Sequence, residues 1–241
     1  MQVDHPDGGR REPIFNAPAV VVGLLGVLVL VHVWREAAGN DEIDWALAFI
    51  PARYGAGADE VPGGRWAWAT SFVTHMFVHG NSAHLVINSA WLLAVGTPIA
   101  RRMPPAAFLA LFVLCGIGGA ALYLVLNLGQ LAPMVGASGA ISGLMAGVFR
   151  LIYAANDNAG RSLLREHPAA APGLTLRGVC ASRPALTAIA VWVVINFVAA
   201  VALTDMATSG GIAWQAHLGG FFAGLVAFGL FDRGPRTDHP R

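Results

Sequence analysis

The sequence predicts an all-α membrane protein, built as a bundle of six transmembrane helices with both termini in the cytosol. Of its 241 residues, 56% are hydrophobic and only 12% are charged, which is about half the charged fraction of a soluble domain. The mean hydropathy is +0.59. Because the net charge is only +1, we expect no nucleic-acid partner.

Six apolar segments are each near the length of about 20 residues that a membrane-spanning helix needs. They cover residues 17–34, 84–100, 106–126, 138–154, 185–203 and 217–231. No signal-peptide pattern precedes the first segment, so we expect it to be retained. The predicted organisation is therefore a cytosolic tail at 1–16, a membrane domain at 17–231 and a cytosolic tail, expected to be disordered, at 232–241.

Two longer polar stretches separate these segments. Residues 35–80 carry Trp45, Trp66 and Trp68, and tryptophan is enriched at the membrane interface. A loop of this length rarely lacks structure, so we expect short helices or a partly embedded segment. The second stretch, 156–183, is polar and arginine-containing and predicts a flexible linker.

The arginines predict the orientation, because cytosolic loops of membrane proteins carry an excess of positive charge. With six spans, the following arginines all fall on one side: Arg10, Arg11, Arg101, Arg102, Arg150, Arg161, Arg165, Arg177, Arg183, Arg233, Arg236 and Arg241. The opposite side has Arg35, Arg53 and Arg65, which lie among the acids of the first loop. Both termini should therefore be cytosolic.

Polar side chains recur at a similar depth on the second, fourth and sixth spans. His84, Asn88, Ser138 and His217 each lie roughly 18–26 Å along the helix from the arginines that end their spans. Such groups cost free energy inside a membrane unless they are paired or line a cavity. Interhelical hydrogen bonding explains any one of them, whereas a whole layer favours a functional site.

Ser138 lies in the sequence Gly136-Ala137-Ser138-Gly139, at the predicted start of the fourth span. Free backbone N–H groups at a helix N-terminus suit a developing oxyanion, although taken alone this serine is better explained as a helix cap. Gly139, Gly143 and Gly147 form a small-residue stripe typical of close helix packing. A second stripe of His217, Gly220 and Gly224 predicts that the two helices meet and bring serine and histidine together.

The second span offers further candidates. His84 and Asn88 share a helix face, and an asparagine amide can donate to an oxyanion. His75 and His79 precede them at the same spacing, but no carboxylate or cysteine completes a zinc-type ligand set. We therefore expect no metal site, and we expect His75 and His79 to make structural hydrogen bonds.

These residues together resemble the rhomboid intramembrane proteases over roughly 66–231. The histidine-asparagine series from His75 to Asn88 resembles the motif of that family's second helix. Gly136-Ala137-Ser138-Gly139 resembles its G-x-S-G nucleophile motif, and Ala216-His217-x2-Gly220-x3-Gly224 resembles its A-H-x-x-G motif.

The resemblance implies a serine endopeptidase with a Ser138–His217 dyad, which cleaves transmembrane or juxtamembrane segments of membrane proteins. It implies an oxyanion site of His84, Asn88 and the backbone at Ala137, and it implies a mobile fifth helix that admits substrate. Supporting roles fall to His79, Gly136, Gly139, Ser142 and Gly220. It implies no cofactor, the lipid bilayer as surroundings, and a multi-pass protein of the bacterial inner membrane; the oligomeric state is left open.

The sequence departs from the family pattern at three places, where Thr70-Ser71 replaces a Trp-Arg pair, Ala100 replaces a glutamate and Ser142 replaces an aromatic residue. Two alternatives stay open. An inactive rhomboid-like protein that binds membrane clients would lack Ser138 or His217, and both are present. A small transporter would carry acids at the midplane, and none of the predicted spans contains Asp or Glu.

Overall fold

The computed structural model describes residues 17–55, 61–155, 157–202 and 213–238. Most of them are helical, in agreement with the predicted class. The helices are α1 Ala19–Ala38, α2 Asp41–Leu47, α3 Gly64–Thr74, α4 Ser82–Trp91, α5 Thr97–Ala100, α6 Pro105–Leu126, α7 Ser138–Ile152, α8 Asn158–Glu166, α9 Leu176–Ala181, α10 Arg183–Ala202 and α11 Trp214–Phe231.

Five of the predicted spans are long, apolar helices: α1, α4 and α5 joined by a π-helical turn, α6, α10 and α11. The remaining one, α7, is apolar but has 15 residues. At 1.5 Å per residue it is about 22 Å long, shorter than the hydrocarbon core of about 30 Å. A helix of this length, beginning at Ser138, starts below one membrane surface if it ends at the other.

Helices α6, α7 and α11 form the tightly packed centre of the bundle, and glycine permits their close approach. A Cβ added at Gly220 would overlap the carbonyl oxygen of Gly139, and one added at Gly224 would overlap that of Gly143. On the other face of α11, a Cβ at Gly219 would overlap the carbonyl of Gly118 on α6. The predicted contact between the two glycine stripes is therefore confirmed.

The segment between α1 and α4 contains short helices, as predicted. Besides α2 and α3 it includes 3₁₀ turns at Pro51–Tyr54 and His75–Phe77. Arg53 is only 2% exposed and donates to the carbonyls of Ala48, Trp45 and Pro62 at 2.7–3.0 Å. This buried guanidinium satisfies backbone acceptors that the irregular chain leaves open, and so stabilises the turn around it.

The opposite end of the bundle is more ordered than the sequence predicts. The stretch 157–183, predicted as a flexible linker, contains α8, α9 and the strand β1 Gly173–Leu174. The tail, predicted to be disordered, supplies the strand β2 Arg236–Thr237 within its described part, and β2 pairs with β1 in parallel.

Both predictions were wrong because buried charges fix these segments. Asp232 is 3% exposed and accepts two hydrogen bonds from Arg102, at 2.9 and 3.0 Å. Arg102 also donates to the carbonyls of Pro168 and Ala171, and Arg150 donates to that of Leu174 at 2.7 Å. Since a buried ion needs several partners, these charges draw the linker and the tail onto the ends of α5, α7 and α11.

Buried arginines contact both ends of the second span. Arg102, which follows the second span, and Arg150, which ends the fourth, lie at the same end of the bundle as Asp232. Arg35 ends α1, pairs with Asp44 and donates to the carbonyl of His79 at 2.8 Å. That contact lies at the start of α4, which is the other end of the second span.

The orientation can be tested by labelling single cysteines from outside the cell in a variant that lacks the exposed Cys180. Glu42→Cys should react in intact cells, whereas Arg165→Cys should react only after the membrane is made permeable, because the arginine-rich end is expected in the cytosol. Both side chains are exposed, so accessibility within the fold is matched. The reverse pattern would refute the predicted topology.

Candidate active site

Ser138 and His217 are in contact, although they are far apart in the chain. Ser138 Oγ lies 2.8 Å from His217 Nε2. The serine begins α7, and the histidine lies in the first turn of α11. The glycine contacts between these helices lie directly beyond this pair, so the close packing of the two backbones sets the distance. The geometry meets the requirement that a nucleophile and its base lie within about 2.6–3.2 Å.

The chain before Ser138 is held from two sides. The backbone N–H of Gly136 donates to the carbonyl of His75 at 2.9 Å, and Met134 exchanges two backbone hydrogen bonds with Phe49 at 2.8 and 2.9 Å. Gly136 has φ +117°, a conformation that favours glycine. These bonds come from the loop between α1 and α4, so that loop positions the serine.

His84 and Asn88 border the same turn. A Cβ at Gly136 would lie 2.7 Å from His84 Nε2 and 3.5 Å from Asn88 Nδ2. Asn88 is 3% exposed, and its Nδ2 has no hydrogen-bond partner among the described residues. A buried, unpaired donor costs about 1–3 kcal/mol. The Asn88 amide is therefore available to donate a hydrogen bond to an acceptor that enters the site.

The backbone at the start of α7 supplies further donors. Ala137 is fully buried, and its carbonyl accepts the hydrogen bond of the Ile141 N–H at 2.9 Å. The N–H groups of Ser138, Gly139 and Ala140 precede that first helical bond and have no place in the helix ladder. Ala137, His84 and Asn88, predicted as an oxyanion site, thus surround one turn of chain.

His75 and His79 differ in their surroundings. His75 is buried, and its Nδ1 donates to the carbonyl of Ser71 at 2.8 Å; burial lowers its pKa to about 4. This agrees with a structural role. His79 is also fully buried. Its ring interacts with the backbone of Phe77 and contacts His84 edge-on, with centroids 5.1 Å apart.

The second nitrogen of His217 has a partner that sequence analysis missed. Nδ1 lies 2.8 Å from Asn196 Oδ1, on α10. The predicted layer of polar residues lies on the second, fourth and sixth spans, whereas Asn196 lies on the fifth. Its signal was available, since an asparagine in the middle of an apolar span costs free energy unless it is paired.

Ser142 follows Ser138 by one helical turn and is 9% exposed. Both ring nitrogens of His217 are already occupied, by Ser138 and Asn196. Ser142 therefore borders the site without a hydrogen bond to either of these nitrogens.

Residues 65–233 match the family model described as Rhomboid domain. A comparison with curated proteins gives no significant match. The matched range contains α4 to α11, all of α3 except its first residue, and every candidate site residue named above.

The dependence of the site on glycine packing can be tested at two neighbouring positions. Gly220→Ala should lower the unfolding midpoint in detergent strongly, because its methyl group would overlap the Gly139 carbonyl; overpacking of this kind costs about 1–3 kcal/mol or more. Gly139→Ala should have a smaller effect, since its methyl would lie 3.2 Å from the Ala216 oxygen. Equal midpoints for the two variants would argue against a rigid contact between α7 and α11.

Proposed function

The chain belongs to the rhomboid family, and we propose that it is an intramembrane serine endopeptidase. The proposal rests on one observation above all, the 2.8 Å contact between Ser138 Oγ and His217 Nε2. A free serine hydroxyl is a poor nucleophile and becomes an effective one when an adjacent base accepts its proton. The contact supports such an activation.

In the first half of the reaction, Ser138 Oγ attacks the carbonyl carbon of the scissile peptide while its proton passes to His217 Nε2. The carbonyl π-bond opens and leaves a tetrahedral intermediate with a negatively charged oxygen. When the C–N bond breaks, the imidazolium gives its proton to the leaving amine. The products of this half are a fragment with a new amino terminus, which leaves, and an ester between Ser138 and the carbonyl of the other fragment, called here the carboxyl fragment.

In the second half, water takes the place of the serine hydroxyl. The oxygen of the water attacks the ester carbonyl while His217 accepts a proton from the water. Collapse of the second tetrahedral intermediate breaks the ester bond, and His217 returns the proton to Ser138 Oγ. The carboxyl fragment leaves, and the dyad is restored.

The oxyanion of both intermediates needs hydrogen-bond donors near Ser138. The unpaired Nδ2 of Asn88, His84 beside Gly136, and the free N–H groups at the start of α7 are the donors that we assign to it. A donor that meets its acceptor only in the transition state stabilises that state selectively. The lack of a resting partner for Asn88 Nδ2 is what this role requires.

The substrates that fit such a site are transmembrane or juxtamembrane segments of other membrane proteins. The chain is a multi-pass membrane protein with several long apolar helices, and α7 begins below the membrane surface if it ends at the cytosolic side. A segment that reaches Ser138 must therefore enter from the bilayer or from just above it. We further propose the bacterial inner membrane as the location.

The nucleophile can be identified by comparing two serines one turn apart. Ser138→Ala and His217→Ala should abolish cleavage of a generic transmembrane substrate, and a fluorophosphonate probe should label the wild type and Ser142→Ala but not Ser138→Ala. All variants should unfold with midpoints close to that of the wild type. If the probe labels Ser138→Ala but not Ser142→Ala, the assigned nucleophile is wrong.

If the folded wild type is neither labelled nor active, the catalytic proposal fails and the alternative of an inactive protein that binds membrane clients is favoured.

The role of Asn88 can be separated from substrate binding by steady-state kinetics. Asn88→Ala should lower kcat by about 10²–10³, the usual effect of removing one oxyanion donor, with little change in KM. Ser89→Ala, which alters the adjacent residue on a different helix face, should leave kcat unchanged. A change confined to KM would make Asn88 a substrate-binding residue instead.

A further inference from the structure

Asn196 is an unusual residue for its position. It lies in the apolar helix α10. Between residues 185 and 202, the other side chains that can form hydrogen bonds are Thr187, near the start of the helix, and the indole of Trp192. Ala185 and Ala200 are the only buried residues of this helix, so most of α10 faces away from the bundle. The amide of Asn196 nevertheless reaches the His217 ring, at 2.8 Å.

The orientation of the Asn196 amide follows from its two partners. Its Nδ2 donates to the carbonyl of Trp192 at 2.9 Å, which leaves Oδ1 facing His217 Nδ1. The reversed amide would set Oδ1 against the Trp192 carbonyl, and two acceptors repel each other. Because Oδ1 can only accept, His217 Nδ1 must carry the hydrogen.

This assignment fixes the chemistry of the other ring nitrogen. A neutral imidazole carries one N–H, so a hydrogen on Nδ1 leaves a lone pair on Nε2. Nε2 is then the acceptor for the Ser138 hydroxyl, as a general base must be. The opposite tautomer would present an N–H to Ser138 and could not take its proton.

A second contact holds Asn196 in place. Trp192, one turn before it on the same face of α10, stacks on Phe221 of α11 with ring centroids 4.2 Å apart and an interplanar angle of 23°. Stacked aromatic pairs contribute about 0.5–1.5 kcal/mol beyond their burial. The stack therefore docks the middle of α10 against α11 and keeps the amide facing the histidine.

We propose that Asn196 is a positioning residue that holds His217 in the tautomer able to accept the Ser138 proton. The inference rests on the proposed protease function and extends it to a third residue, supplied by a different helix. The same logic operates in other proteases, where an asparagine or aspartate orients the histidine of the catalytic pair. Here the orienting group belongs to a helix with few buried residues, so the base is oriented only while α10 is docked.

A kinetic series tests the proposal. Asn196→Leu should lower kcat by about a hundredfold, the lower end of what a general base contributes, with KM much less affected. Asn196→Asp keeps an acceptor oxygen near Nδ1 and should recover most of the lost kcat. The matched control is Asn127→Leu. Asn127 also donates to a carbonyl one turn back, at 2.8 Å, but it lies at the end of α6. The kcat of Asn127→Leu should equal that of the wild type.

Nitrogen NMR of histidine-labelled protein gives a readout that a loss of stability would not mimic. The His217 signals, assigned by their absence in His217→Ala, should report hydrogen on Nδ1 in the wild type and a mixture of tautomers in folded Asn196→Leu. An unchanged tautomer or an unchanged kcat in Asn196→Leu overturns the proposal. If the wild type neither cleaves nor reacts with a fluorophosphonate, the protease function fails instead, while the NMR comparison still tests the role of Asn196.

Discussion

The contact of α7 with α11 through glycine is the constraint on which the other features of the site depend. Gly139 and Gly143 lie against Gly220 and Gly224, and a Cβ at Gly143, Gly220 or Gly224 would overlap its neighbours, so the two backbones approach more closely than ordinary helices do. Packing in a membrane gains little from the hydrophobic effect and relies on such close contacts. At this separation the short side chain of Ser138 reaches the imidazole of His217 on the neighbouring helix.

The remaining structure limits how these two helices can move. At one end, the loop between α1 and α4 bonds to Met134 and Gly136 and fixes the approach to Ser138. At the other end, Arg102 binds Asp232, and Arg150 donates to the carbonyls of Leu174 and Leu225, so that α5, α7 and α11 are tied together. An active site needs its groups held within about 0.5 Å. Two anchored ends with a glycine contact between them are one way to reach that precision in a lipid environment.

Much of this arrangement was predictable because its signals are local in the sequence. Length and hydropathy indicate the helices, and the spacing of Gly220 and Gly224 after His217 predicts both the packing face and the partner. The order in residues 157–183 and 232–238 was not predictable. It depends on the contact of Asp232 with Arg102, which is distant in the chain, and no pattern in the sequence indicates that these two residues meet. Asn196 was overlooked for a related reason: the rotation of α10 about its axis, which turns the amide toward His217, is set by the stack of Trp192 on Phe221.

The polar groups of the site also divide by whether they have partners, and this division has a physical meaning. Ser138, His217 and Asn196 form a chain of hydrogen bonds that offsets the cost of placing them at depth. Asn88 Nδ2 lies beside the same turn and has no protein partner among the described residues. A buried donor of this kind is available to an acceptor that arrives with a substrate. In the proposed reaction the partnered groups activate the nucleophile and the unpartnered donor meets the developing negative charge, which accounts for both kinds of group around one serine.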